Sequence, residues 1–363
     1  MTFFAQTNGR RQWMHSTTTS TKSTRKKMSN PDHAQRQHAF MSASKISRVA
    51  VCPGSLLAER GMPNSTSEAA QRGTDIHEIA EQILRQQPVT GVDDEMIAIA
   101  QKYVTTAMEQ TAHAKKHYIE LDVTEALKTI HESLGGTADL IAIGGGIMTV
   151  CDLKTGRIEV SPENNLQLMT YALGAAIALN APPTVTVRLA IYQPDHGGWR
   201  EWSCTYADLM AWKDKLRDLA VAAHQPNAAR NPDQDACKYC RAKTQCDALR
   251  DVAVNAAKTE FGLGITSEQL ADAALCSTWA DAVQDAAKKQ LAEQPESIKG
   301  WAMKPGARMT KFKDEKLVAE LLKGKPEAFS LKSASAILKM GLEVPEAMIE
   351  ETRKAASLVK VKA

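Results

Sequence analysis

The stretch TVCDLKTG, residues 149–156, decides how the rest of the chain is read. It begins as an apolar, β-branched run and ends by setting Asp152 and Lys154 two residues apart, just before Gly156. A strand turns successive side chains to opposite faces, so Asp152 and Lys154 share one face while Cys151 and Leu153 share the other. Opposite charges on one face of a largely apolar strand mark a candidate site. Surface strands carry such pairs routinely, so the weight of the reading falls on the neighbouring segments.

Upstream, LGGTADLIAIGGGIM (134–148) supplies a second apolar run, and the glycines at 144–146 between the runs predict a hairpin. That hairpin folds the strand of Asp139 back beside the strand of Asp152. Downstream, NNLQLMTYALGAAIALN (164–180) reads as a helix, with Gln167 and Tyr171 four residues apart on one face. TVTVRLAIYQP (184–194) and GGWREWSCTY (197–206) read as two more strands, followed by a helix over about 207–223. Before the hairpin, MSASKISRVAVCPGS (41–55) looks helical up to Cys52-Pro53-Gly54. Ser65 with Glu68 reads as a capping-box start for EAAQRGTDIHEIAEQILRQQ (68–87), which carries His77. Gly73 inside that helix costs about 1 kcal/mol against alanine, which points to a close approach of other atoms there. A second helix is expected over about 93–116, then a strand at HYIELDV (117–123). Helices, a small mixed sheet with an inserted helix, and more helices give an α/β or α+β class with a central sheet.

The bulk numbers agree with a globular chain. Its 363 residues are 43% apolar and 24% charged with a net charge of +3, and the length suggests roughly two domains. No apolar run approaches the ~18 residues that span a bilayer, so no membrane segment is expected. Residues 1–40 carry seven Lys or Arg against one acid, Asp32, and include STTTSTKSTRKK (16–27), a composition expected to stay disordered. Seven cysteines, an odd count without a secretion signal, argue against a disulfide framework and for a reducing, cytoplasmic setting. Residues 260–363 are expected to form an appended helical region. From Trp301 onward thirteen Lys or Arg face eight acids, a mildly basic surface that is either simply solvated or a nucleic-acid contact.

Hard divalent cations prefer carboxylate and carbonyl oxygens. Asp152 and Asp139 are candidate carboxylates for Mg²⁺ or Mn²⁺, and Lys154 a candidate to orient an attacking water and balance charge on a phosphoryl oxygen. A neutral His77 imidazole can complete such a site, although helical histidines are commonly solvated or packed in a core. Gln167 and Tyr171 also suit a helix edge lying on a sheet. Glu120 and Glu81 are further candidates.

The order RGTDIHEIAE, GGTAD, CDLKTG, QLMTY resembles the RecB-type branch of the PD-(D/E)XK nuclease superfamily over about residues 45–250. That resemblance implies a restriction-endonuclease-like core. It assigns catalytic roles to His77, Asp139, Asp152, Lys154, Gln167 and Tyr171, and metal ligation to His77, Asp139, Asp152 and the position of Leu153. Ala138 stands where the superfamily's proline would precede Asp139, a departure common in the RecB branch. The segment HAFMSASKISRVAVCPGS (38–55) also resembles the opening of an uncharacterised RecB-like nuclease family of phages and prophages.

CKYCRAKTQC (237–246) packs Cys237, Cys240 and Cys246 into ten residues, a soft-metal spacing that lacks a fourth ligand. For zinc the nearest local candidate is His224. With Cys52, the pattern is instead similar to iron-sulfur nucleases of the AddB type and of CRISPR adaptation, where a [4Fe-4S] cluster staples the start of the nuclease domain to its end. Cys151 reads as core, and Cys204 and Cys276 lack partners.

The expectation is therefore a disordered tail (1–40), a RecB-like nuclease domain closed by four cysteines (41–255) and the C-terminal region. The resemblance implies a Mg²⁺- or Mn²⁺-dependent exonuclease on single-stranded DNA ends, 5′ to 3′, serving phage or bacterial recombination or repair beside a recombination partner protein. It would work in the cytoplasm, that of a bacterial host if phage-encoded. The alternative is an inactive nuclease-fold DNA-binding or assembly protein with structural zinc.

Overall fold

The turn after Gly144 closes a hairpin at the centre of a five-stranded sheet. Gly145 and Gly146 hold φ of +58° and +77°, the left-handed pair that fits a two-residue turn to the twist of its strands. The computed structural model describes residues 39–63, 67–90, 93–258, 264–306, 308–325, 337, 343–353 and 357–360. The tail expected over 1–40 lies almost wholly outside them.

The sheet strands are β1 (Lys116–Asp122), β2 (Thr137–Gly144), β3 (Ile147–Leu153), β4 (Thr186–Gln193) and β5 (Gly198–Thr205), arranged in sequence order. Every pairing is antiparallel except β3 with β4, which run parallel. A parallel step needs a crossover. Among the helices, taken in chain order, are α1 (Ile46–Val51), α2 (Glu68–Leu84), α3 (Asp94–Gln110), α4 (Leu166–Ala178), α5 (Tyr206–Ala223), α6 (Asp247–Lys258) and α7 (Ser267–Glu293), and α4 makes that crossover. This is a mixed central sheet flanked by helices, as the α+β reading requires.

Both faces of the sheet are covered, which is why β3 is apolar almost throughout. Met148 and Val150 join Leu168, Leu189 and Leu216 in a core under α4 and α5. Cys151 and Leu153 join Ile76, Ile79 and Tyr103 under α2 and α3. The alternation read from TVCDLKTG is thus the division between two cores.

The N-terminal segment docks on the far end of the domain. Met41–Ser42 pair in parallel with Leu134–Gly135, and Gly54 N–H donates to the Ala229 carbonyl at 2.8 Å. Glu59, 4% exposed, is gripped by the Arg48 guanidinium and accepts from the Arg241 backbone N–H at 2.7 Å.

Three expectations are corrected. Ser67, not Ser65, caps α2 by accepting from Ala70 N–H, and Ser65 is outside the described residues. The helix expected to run to Lys116 stops at Gln110, because Lys115 N–H already bonds Ile143 O and Lys116 opens β1. The C-terminal region is not purely helical: β6 (Trp301–Lys304) pairs with β9 (Ser357–Lys360), and β7 (Arg308–Phe312) with β8 (Ile349–Arg353). Those partners lie far apart in sequence, so local periodicity carries no trace of them. Among the described residues, no helix is long and apolar enough to cross a membrane.

Candidate active site

The β2–β3 ladder ends at the Leu140–Cys151 pair, and just beyond it the Asp139 carboxylate takes the backbone N–H of Leu153, the residue after Asp152. The strand path continues past Asp152, because Lys154 N–H donates to Tyr192 O at 2.9 Å. Lys154 Nζ lies 2.7 Å from Asp152 Oδ2 and donates to Gln167 Oε1 at 3.0 Å. Gln167, in the first turn of α4, donates through Nε2 to Asp152 Oδ1 at 3.4 Å and to the Tyr171 hydroxyl at 3.3 Å. From the opposite helical layer, His77 Nδ1 comes within 3.2 Å of Asp139 Oδ2, which also accepts Leu153 N–H at 3.0 Å. All six predicted side chains therefore lie in one stretch of structure. The Leu153 side chain is buried in the core, so only its carbonyl is available to a cation.

Burial opposes charge on every member of this group, and the partners decide which wins. Burial works against a protonated His77, but Asp139 and Asp152 carry it up to about 9. Asp139 is held below the usual carboxylate range despite burial, by His77 and the Leu153 N–H. Asp152 lies above that range, because burial and the neighbouring Asp139 outweigh Lys154. Lys154 is raised by Asp152 against its own burial. Beyond the Lys154 ammonium, the buried Asp152 Oδ2 meets no other donor among the described residues, so it keeps acceptor capacity on its second lone pair. That capacity fits a hard cation. A cation here competes with Lys154 for Asp152 and with His77 for Asp139, and among the described residues no three His, Cys, Asp or Glu side chains form a ready-made metal cage.

Cys52, Cys237, Cys240 and Cys246 line one small cavity together with Ser55 and Arg230. Cys52 sits at the end of α1 and accepts the Asn231 N–H at 3.3 Å. Burial pushes the Cys240 thiol up to about 11 and raises Cys237, to which Cys246 and Cys52 contribute. A metal must displace thiol protons to bind here; thiolates are the donors soft metals select, but as placed the four cysteines, like the carboxylates, do not form a ready-made cage among the described residues. His224, the local zinc candidate, lies elsewhere: it stacks on His131 at 4.7 Å and bonds Ala220 O at 2.7 Å.

Residues 38–341 match DUF2800, described as "Protein of unknown function (DUF2800)". The chain belongs to the DUF2800 family. The match spans both the carboxylate cluster and the cysteine cavity of this DUF2800 chain. A solved structure described as "Crystal structure of SSO0001" is similar at 14% identity, over 60% of this chain and 91% of that one, with a TM-score of 0.30, too distant for its chemistry or its fold to be transferred.

Of the further candidates in this DUF2800 chain, Glu81 pairs with Arg85 at 2.9 Å instead of turning to the carboxylates. Glu120 lies between the Ile119–Leu140 and Leu121–Ala138 pairs, at the register position of Asp139, with φ of +52°. A carboxylate residue in the left-handed region within a strand is held there at a cost. Sequence reading missed Tyr103. It is 1% exposed, its hydroxyl has no hydrogen-bond partner among the described residues, and burial with the charges of Asp139 and Asp152 raises its pKa. In the sequence it continues the apolar stripe of Ala100 and Ala107, so no signal separated it from core.

Proposed function

We propose that this DUF2800 chain is a metal-dependent nuclease of RecB-like type that hydrolyses DNA phosphodiester bonds, acting as an exonuclease on single-stranded ends. The observation that carries this reading is the contact chain His77–Asp139 and Asp152–Lys154–Gln167–Tyr171, drawn from both helical layers onto adjacent strand ends. His77, Asp139, Asp152 and the Leu153 carbonyl would hold Mg²⁺ or Mn²⁺. When bound, that ion supplies Lewis acidity toward a phosphoryl oxygen. Lys154, fixed by Asp152 and Gln167, orients the attacking water and offsets negative charge growing on the phosphate. Gln167 sets the lysine's direction, and Tyr171 sets Gln167. The four cysteines would hold a [4Fe-4S] cluster, or zinc as the alternative, joining the two ends of the domain. Polarity from the 5′ end and a recombination partner rest on the resemblance, a phage origin on the segment 38–55, and cytoplasmic work on the odd cysteine count.

The test is cleavage of end-labelled single-stranded DNA by anaerobically purified protein in Mg²⁺ and in Mn²⁺, with iron, sulfide and zinc measured on the same sample. Shortening of the label by wild type and none by the Asp152→Ala, Lys154→Ala double variant is expected. Equal cleavage by the double variant overturns the site.

A second reading is a nuclease fold without turnover that binds DNA. It is favoured by the closed ion pairs, since both carboxylates already have cationic partners. Tight binding with no cleavage in either metal supports it.

A further inference from the structure

The chain between β3 and α4 leaves the sheet directly beside Lys154, and its first turn is clamped by one buried amide. Gln193, fully buried at the end of β4, donates through Nε2 to Gly156 O and Ile158 O, both at 2.7 Å. Its Oε1 accepts from Val160 N–H at 3.1 Å and from Arg200 Nη2 at 2.8 Å. Two donors and two lone pairs are the whole capacity of a glutamine amide, and all four are used. Arg200 Nη1 also holds Glu159 at 2.5 Å, and His196 Nε2 donates to Arg157 O at 2.8 Å. The backbone is thus tied at residues 156, 157, 158 and 160, and Glu159 between them is held by its side chain.

The side chains this clamp displays are not used inside the protein. Ile158 is 50% exposed, and Arg157 is exposed, its guanidinium meeting no carboxylate among the described residues. The sheet's other arginines differ: Arg188 pairs with Glu201 and Arg200 with Glu159. A fixed main chain presenting a free guanidinium and a bare aliphatic group, three and four residues after Lys154, is a contact surface made for something outside the chain.

We propose that Arg157 and Ile158 form a contact for single-stranded nucleic acid, Arg157 on a backbone phosphate and Ile158 against the face of an unstacked base. This rests on the nuclease reading and adds to it the residues that hold the strand beside the site. A duplex covers its base faces by stacking, so only a single strand offers Ile158 a partner, while the planar guanidinium suits a phosphate in either form. Gln193 is a positioning residue for both.

The test measures anisotropy of fluorescein-labelled oligothymidine with the full-length protein across a KCl series, in buffer without divalent cations so that no cleavage occurs. Both side chains are exposed, so their variants keep the fold. Arg157→Ala should lower the slope of log affinity against log salt by about 0.7, the value of one phosphate on a single strand. Ile158→Ser should weaken single-strand binding about fivefold at unchanged slope and leave duplex binding alone. An Arg157→Ala slope equal to wild type overturns this contact, while wild-type binding and cleavage leave the nuclease reading standing. Wild type that neither binds nor cleaves the strand overturns both.

Discussion

Lys154 is fixed at both ends: its Nζ lies 2.7 Å from Asp152 Oδ2, and its backbone N–H is tied to Tyr192 O in the parallel neighbour strand. Removing either charge has unequal consequences, because Asp152 is 2% exposed while the Lys154 side chain is 24% exposed. Lys154→Met strands a buried carboxylate and should cost about 3 kcal/mol in denaturant unfolding. Asp152→Asn leaves an ammonium able to reach water and should cost less than half of that. On the proposed reading, both abolish cleavage.

Tyr103→Phe removes a buried hydroxyl that bonds nothing among the described residues and keeps the ring packed at 5.8 Å from Tyr192. A lost hydrogen bond normally destabilises, but here none is lost. Stability should stay level or rise by up to about 1 kcal/mol, read as a shift in urea midpoint at constant slope. A clear loss would mean that the hydroxyl has a bridging water.

Glu59 makes the junction of the N-terminal segment sensitive to acid. Burial raises its carboxyl, but hydrogen bonds from Arg241 and Arg48 outweigh burial and hold it below its ordinary 4.5. A depressed carboxyl gives stability that is complete above the ordinary value and is lost as pH falls through the folded one. Glu59→Gln should therefore be less stable than wild type at neutral pH, by about 3 kcal/mol for a broken buried pair. The gap should narrow below pH 4.5, which unfolding curves at several pH values will register.

Gly73→Ala sets two effects against each other. Helix propensity favours alanine by about 1 kcal/mol, yet the new Cβ would lie 3.0 Å from Thr155 Oγ1, which must shift by a few tenths of an ångström. Thr155 is half-exposed and can give way, so thermal stability should hold or rise. Cleavage should fall, because Thr155 adjoins Lys154. Equal activity would show that the loop tolerates the shift.

What was legible in the sequence is what short range dictates. The glycine turn suffices to fold the strand of Asp139 back beside that of Asp152, strand alternation puts Lys154 on the face of Asp152, and helix geometry puts Gln167 over Tyr171; the local break of alternation at Asp139, whose neighbours Ala138 and Leu140 enter different cores, was not legible. The approach of His77 from the opposite layer, and of Cys52 to cysteines beyond residue 236, are long-range contacts; motif order pointed to them where periodicity could not. Nothing in the sequence announced the Arg48–Glu59–Arg241 grip, the pairing of β6 with β9, or the saturated amide of Gln193. Each depends on a partner far away in the chain, and each side chain alone is unremarkable for its surroundings.

The docking of the opening segment governs when the fold can be finished during synthesis. Met41 needs Leu134, Gly54 needs Ala229 and Glu59 needs Arg241. Until the ribosome has released the chain past Arg241, the buried faces of Ile46, Val49 and Leu56 lack their complete cover. A nascent chain halted short of that point presents a sticky apolar helix near its front end, the kind of surface that chaperones hold, and closes only when the last partner emerges.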